Sequence, residues 1–380
     1  MDFELNQDQK LLQTSVRHFV EKEIKPIAIQ IDETQAIPEA LITKMRQMGM
    51  LGSYLPETYG GSGLDILSYA IVVEEVSKAC GSSGILISAH TSLACDPILQ
   101  FGTEAQKARF LPQLTQGTRI GCILLTEPGA GSDPAGLITS YRKDGDDYLI
   151  NGNKVFITNG GYRGIGIVFA TRDRTLKHKG ISAFIVDLES KGVEVLRNEH
   201  KLGIRGSYTT SFALSDLRVP VENLLGTEGA GFKIAMETLN GGRIGVAAQA
   251  LGIAEGAFER SLAYSRERKQ FGRPISEFQA IQFKLADMYT QIETSKLITY
   301  RAAWLKENKR PYAAESAMCK LHASETATYV TKEAIQIHGG YGYITEYEVE
   351  RMFRDAKITE IYEGTSEVQR LVIAKALLSG

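Results

Sequence analysis

The sequence predicts a multi-domain α+β protein: a helical N-terminal domain over residues 1–120, a β-domain over 121–228 and a helix bundle over 229–380. Three observations carry this. Apolar residues recur at helical spacing near the start, at Leu11, Leu12, Val16, Phe19 and Val20. The middle breaks into short β-branched and aromatic runs punctuated by Gly, Asn and Asp. The last part holds two unbroken helical stretches, Phe278 to Trp304 and Ala313 to Ile337, long enough for a bundle.

Taken in order, Pro26 ends or bends the first helix, and Pro38 opens a second at Glu39, in the first turn where its missing N–H costs least. Tyr59-Gly60-Gly61-Ser62-Gly63 reads as a flexible loop, and Asp65 as the N-cap of a helix from Ile66 to Ala79. A further helix from about Ser83 to Cys95 is expected to bend at Asp96-Pro97. Strands are expected around Tyr148-Leu149-Ile150, Lys154 to Ile157, Ile167 to Ala170 and Ala183 to Val186, in an antiparallel sheet or a small barrel. Gly226 to Gly231 marks the exit, and Gly339-Gly340 stops a helix.

Composition narrows the function. With 380 residues, 43% hydrophobic and 23% charged, the chain has the make-up of a soluble globular protein. A net charge of -2 gives no reason to expect nucleic acid or an anionic membrane as partner. No run approaches the roughly 18–20 apolar residues that span a bilayer, so no membrane insertion is expected. Met1-Asp2-Phe3-Glu4 reads as neither signal nor transit peptide. The scattered Cys80, Cys95, Cys122 and Cys319 suggest reduced thiols in a cytoplasm, with a processed mitochondrial matrix protein as the alternative. Six histidines without HxxxH or HExxH spacing argue against a zinc site, and His338 beside two glycines reads as a helix-end residue.

Four stretches could carry chemistry. In Ile361-Tyr362-Glu363-Gly364-Thr365-Ser366-Glu367 a lone carboxylate sits between an aromatic ring and a glycine, in a turn between helix-like segments. An apolar wall there would raise its pKa toward that of a general base. Thr126-Glu127-Pro128-Gly129-Ala130-Gly131-Ser132-Asp133 offers hydroxyls and backbone N–H groups to one ligand, or is a solvated turn. Phe156 and Thr158, two residues apart on a strand, would share a face, with a ring to stack on a flat cofactor and a hydroxyl to bond its edge; Phe156 would otherwise be core. Arg266 to Arg273 holds four bases in eight residues, fit for a pyrophosphate or for a helix C-terminus.

Together with Tyr59-Gly60-Gly61, Arg268-Lys269-Gln270-Phe271-Gly272 and Gln336-Ile337-His338-Gly339-Gly340, these motifs closely resemble, in order and over essentially the whole chain, the acyl-CoA dehydrogenases. The resemblance implies an N-terminal helical domain, a central antiparallel β-domain and a C-terminal four-helix bundle. It also implies a homotetramer with one FAD per subunit. Thr126 and Thr158 would bond the flavin ring and Phe156 would flank it, where many members have Trp. Arg268, Gln270, Phe271 and Gln279 would reach a neighbour's FAD, with Gln336, Gly339, Gly340, Thr365 and Glu367 completing the dinucleotide site and Ser132 touching both cofactor and substrate. Leu93, Asp96, Leu239, Arg243, Tyr362 and Gly364 are the implied acyl-CoA contacts.

Glu363 is the implied catalytic base. It would take the α-proton of an acyl-CoA thioester while the β-hydride passes to the flavin, giving the trans-2-enoyl-CoA, as in β-oxidation. Hydrogen bonds that include the Glu363 N–H would hold the developing enolate. Some relatives place the base at the position of Gly242, so Glu363 is the candidate here. Electrons would leave through an electron-transfer flavoprotein. A short acyl group such as butyryl is the first expectation; the alternatives are a branched, alicyclic (cyclohexanecarboxyl-type) or dicarboxylic acyl-CoA, a flavin oxidase, or a non-redox acyl-CoA-binding scaffold. Asp96 would be an extra base or a partner for a polar acyl end, or else the cap of a turn before Pro97.

Overall fold

The computed structural model describes residues 4–378. Its N-terminal part holds α1 (Gln7–Phe19), α2 (Ala28–Thr34), α3 (Glu39–Gln47), α4 (Ile66–Ala79), α5 (Gly81–Ser88), α6 (Asp96–Phe101) and α7 (Glu104–Thr115). Asn6 opens α1 with a capping box: its side chain accepts from the Gln9 N–H, and the Gln9 side chain accepts from the Asn6 N–H. Pro26 bends the first segment, which passes through π and 3-10 turns into α2. Asp65 caps α4 as expected, accepting from the Ser68 N–H at 2.5 Å.

The helix expected over Ser83–Cys95 runs further, because α5 and α6 join through a π-helical stretch, Ala89–Cys95. The Asp96 N–H reaches the Thr91 carbonyl, five residues back, and Pro97 has no N–H with which to hold the Leu93 carbonyl. Widened turns thus absorb the proline. Buried His90 pins this stretch to the β-domain: its Nδ1 accepts from the Gly121 N–H at 2.8 Å, which leaves Nε2–H to donate to the Leu114 carbonyl at 3.0 Å.

Strands β1 (Gly121–Leu124), β2 (Ser140–Asp144), β3 (Asp147–Thr158), β4 (Ile165–Thr171), β5 (Ile181–Asp187), β6 (Val193–Asn198), β7 (Thr209–Pro220) and β8 (Leu224–Leu225) form one sheet. Its order is β6-β7-β3-β2-β4-β5-β8, with β1 beside β4. Pairing is antiparallel except that β1 and one bridge of β2 run parallel to β4. The β2–β3 hairpin lies between β1 and β4 in sequence, so the chain has room to return in the same direction. Strand β4 is buried on both faces: Ile165, Ile167 and Phe169 pack toward the helices, Val168 and Ala170 into the other layer.

The C-terminal part begins with α8 (Gly231–Glu267), then a two-stranded hairpin, β9 (Lys269–Gln270) and β10 (Arg273–Pro274). Helices α9 (Gln279–Glu307), α10 (Ala313–His338), α11 (Val349–Thr359) and α12 (Ser366–Leu378) follow. Helix α8 is buried all round from Gly241 to Ala257, which makes it the axis on which α4 and α10 pack. His338 ends α10, its ring stacked on Tyr264 at 4.3 Å. Among the described residues no helix is long and apolar enough to cross a membrane.

Candidate active site

The turn between α11 and α12 is held from several sides. The Gln369 amide donates to the carbonyls of Glu363 (3.2 Å) and Gly364 (2.8 Å), and Lys320 Nζ donates to the Gly364 carbonyl at 2.8 Å. The Tyr362 hydroxyl donates to Gln249, whose amide donates to the Gly81 carbonyl at 2.8 Å. Within this frame Glu363 adopts φ 53°, a conformation that a side-chain-bearing residue keeps only when its surroundings impose it. The Glu363 N–H makes none of the turn's backbone hydrogen bonds, so it is a donor in reserve.

Both carboxylate oxygens of Glu363 are shut off from solvent and have no hydrogen-bond partner. Burial pushes its pKa up to about 7, against the attraction of Arg243 and Lys320. Those two cations are themselves perturbed. Burial holds Arg243 below its ordinary value and pushes Lys320 down to about 8. Close to neutral pH, then, Glu363 sits between acid and base forms.

Gly242 explains how the carboxylate reaches its place. A Cβ added there would lie 2.1 Å from Glu363 Oε2 and 2.7 Å from Leu93 Cδ2. The space a side chain on α8 would take is the space the Glu363 carboxylate occupies. Arg243, next on α8, is buried and donates to Asn240 Oδ1 at 2.9 Å, while its Nε has no partner. Leu93 stands on the π-helical stretch, and Leu239 is half-buried four residues before Arg243. Asp96 does not cap a turn. It is buried within the continuous helix, where Lys306 Nζ (3.0 Å) and the Gln100 amide (2.6 Å) donate to its Oδ2.

A second group of residues lies on the β-domain. The Thr126 carbonyl accepts from the Val155 N–H at 3.0 Å, which sets the 126–133 loop beside the end of β3. Thr126 and Thr158 are half-buried and Ser132 is exposed. Phe156 is 63% exposed and not core. It has φ 59° in a register shift between Lys154 and Ile157, so plain strand alternation does not set its face relative to Thr158. Below the loop, Glu127 accepts from Lys154 Nζ at 2.7 Å and from the N–H groups of Ile138 (2.6 Å) and Thr139 (3.0 Å). Asn159 then ties the strand to the helices, donating to the Leu86 carbonyl at 3.1 Å.

A third group lines a cleft of about 460 Å³ between the end of α8 and the end of α10, with Arg268, Gln270, Gly339 and Gly340 in its walls. Added Cβ atoms at Gly339 and Gly340 would meet nothing within 4 Å. The Arg268 guanidinium lies over the Tyr341 ring at 5.3 Å. Phe271 and Gly272, both at positive φ, make the two-residue tip of the β9–β10 hairpin, and Phe271 is 93% exposed. Gln279, Gln336 and Glu367 are exposed, and Thr365 is half-buried. An exposed ring, a threonine at the end of β3 and a second in the neighbouring loop, with a cation and open glycines in a cleft, are a donor set that fits a flavin dinucleotide. Among the described residues no group of three or more His, Cys, Asp or Glu is arranged for a metal ion.

Sequence reasoning missed Lys320, Gln249, Gln369, Lys154 and Lys306. Gln249 left a signal, being the lone polar residue between Val246 and Leu251. The others are polar residues in helices or strands, whose burial depends on distant neighbours.

Family models for the acyl-CoA dehydrogenase N-terminal, middle and C-terminal domains match residues 6–118, 122–217 and 229–378. The chain is 53% identical over 374 residues to a short-chain-specific acyl-CoA dehydrogenase of Clostridium acetobutylicum, covering 98% of this chain and 99% of that one. It superposes on butyryl-CoA dehydrogenase from Megasphaera elsdenii with a TM-score of 0.98 and 48% identity, covering all of both chains. An acyl-CoA dehydrogenase from Bacillus anthracis, solved with FAD, matches at TM-score 0.93 and 36% identity over 99% of this chain and 67% of that one.

Proposed function

The chain belongs to the acyl-CoA dehydrogenase family, flavin-dependent oxidoreductases, and we propose that it oxidises short-chain acyl-CoA thioesters to 2-enoyl-CoA with Glu363 as the base. One observation carries the assignment of the base: a buried carboxylate without partners, held at φ 53°, with a pKa near 7. A free carboxylate of pKa near 4 is too weak to take a thioester α-proton; one raised to about 7 is matched to the task at neutral pH. Arg243 and Lys320 keep enough of the ionised form present. The unused Glu363 N–H is a donor for the thioester oxygen as it gains charge.

FAD, when bound, supplies the hydride acceptor for the β-carbon. Thr126, Phe156 and Thr158 would hold its ring, while Arg268 and Gln270 would reach a neighbour's FAD and Gly339 and Gly340 would complete the dinucleotide site. The exposed Phe271 at a hairpin tip supports a homotetramer in which this hairpin, with Gln279 and Gln336, meets a neighbour's cofactor, while Thr365 and Glu367 stand beside the chain's own Glu363 turn. Ser132, Arg243, Leu93, Leu239, Tyr362 and Gly364 would bind the acyl-CoA. Asp96, engaged by Lys306 and Gln100, would close the pocket as part of an ion pair. An electron-transfer flavoprotein is the proposed acceptor, and four free, buried thiols suit a reducing compartment such as the cytoplasm.

The test is anaerobic bleaching of the flavin by butyryl, octanoyl, isobutyryl, glutaryl and cyclohexanecarboxyl thioesters. Fastest bleaching by butyryl-CoA is expected. If the protein binds FAD and none of the thioesters bleaches it, the proposed reaction is wrong.

A further inference from the structure

The β6–β7 connection is built into α11, the helix that leads into the Glu363 turn. A Cβ added at Gly203 would lie 2.2 Å from the Arg354 carbonyl oxygen and 2.6 Å from the Asp355 nitrogen, so loop backbone rests directly on α11 backbone. Arg354 Nη1 donates to the Leu202 carbonyl at 3.1 Å, and the same guanidinium grips Asp32 of α2. Asp355, buried beside Arg351, accepts from the Ile204 N–H at 2.5 Å. Between these fixings Ile204 sits at φ 42°.

That is an unfavourable place for a β-branched residue, and a glycine would take it without strain. Isoleucine brings a side chain, and the side chain is 3% exposed. It packs with Ile85, Ala89 and Leu93 of the α5–π helix, flanked by Ile123, Ile358 and Tyr362. This cluster adjoins the base. Leu93 reaches the point above Gly242 where the Glu363 carboxylate lies, and Tyr362 directly precedes Glu363. The cluster is therefore an apolar layer between the sheet that carries Thr158 and the turn that carries Glu363.

We infer that Ile204 is a wall of the acyl pocket that limits which acyl groups fit, and that Asp355 is the positioning residue that holds it there. The inference rests on the reading of Glu363 as the base. A strained backbone anchored to α11, the helix that leads into the base's turn, fixes the wall relative to the reacting carbons, as selection by acyl size requires. Asp355 touches neither substrate nor cofactor and acts through Ile204.

The test compares kcat/KM for octanoyl-CoA and butyryl-CoA on FAD-loaded enzyme, together with the acyl-CoA dissociation constants. Ile204→Gly should raise the octanoyl-to-butyryl ratio by about tenfold or more, the scale of one methylene in an apolar pocket, and Ile204→Val should raise it by a smaller factor. Asp355→Leu should shift the ratio in the same direction, while Asp355→Asn, whose amide oxygen still accepts the Ile204 N–H, should keep the wild-type ratio. An unchanged ratio in Ile204→Val and Ile204→Gly, with only thermal stability lost, would make Ile204 plain core and overturn the inference. If Ile204→Gly does not fold, the valine variant decides. A shift in Asp355→Asn as large as in Asp355→Leu would remove the positioning role. Wild-type bleaching by butyryl-CoA and its loss in Glu363→Gln test the base separately, so a failed pocket wall is told apart from a failed reading of Glu363.

Discussion

Glu127 and Glu363 are both glutamates removed from water, and they are opposites. Glu127 has Lys154 at 2.7 Å and two backbone N–H groups on its oxygens. Burial pushes its pKa up, but Lys154 and those donors outweigh burial and hold the carboxyl below its usual range. Glu363 has cations nearby and no hydrogen bond, and burial wins. Burial alone does not make a base. What separates a structural carboxylate from a reactive one is whether its charge has been given partners. The first fixes the loop of Thr126 to the sheet; the second keeps a proton affinity that can change hands.

The difference can be broken from either end. Glu363→Gln keeps the volume and removes the proton acceptor, and turnover should fall by on the order of 10³-fold or more, with FAD content and acyl-CoA affinity retained. Stopped-flow bleaching reads both the loss and the binding. Retained turnover would put the base elsewhere. Lys154→Met makes Glu127 resemble Glu363 by taking away its cation. Stability in urea should drop by about 3–5 kcal/mol, because an uncompensated buried charge is left behind. The double variant with Glu127→Gln should recover part of that loss.

Two further outcomes sharpen the comparison. The raised pKa of Glu363 means that its ionised form is a cost to the fold. Its stability contribution is complete below the unfolded value of 4.5 and fades as pH rises through about 7. Glu363→Gln should therefore be more stable than wild type above pH 7, by at most about 3 kcal/mol, with no difference below pH 4.5. Denaturation midpoints across pH would check this, and a difference independent of pH would speak against it. The last expected effect is the smallest. Gly242→Ala puts a methyl group where Oε2 lies, so kcat should fall by about 10²-fold through displacement of the base while flavin content stays whole.

What could be read in the sequence was what is local. The Asp65 cap and the Ile66–Ala79 helix rest on neighbours within a few residues, and propensity and spacing reveal such features. The turn around Glu363 was visible through Gly364, but Lys320 and Gln249, which help to hold it, lie 44 and 113 residues from their partners. Glu127 stood in a motif the sequence singled out, yet its partner Lys154 is 27 residues away and looked like any strand lysine. Ile204 and Asp355 lie 151 residues apart, and no periodicity links them. The helix bearing Leu93 was visible, but its π-helical widening was not, since that depends on packing against β1 as well as on Pro97. Asp96 looked like a turn residue until Lys306, from α9, was found beside it.

The most direct measurement is the proton affinity of Glu363 itself. Infrared difference titration of wild type against Glu363→Gln isolates the one carboxyl group that the two proteins do not share. A protonation midpoint near pH 7 is expected, from burial without hydrogen-bond partners. A midpoint at the ordinary carboxylate value, close to 4.5, would mean that the group is solvated or paired and would contradict its role as a poised base.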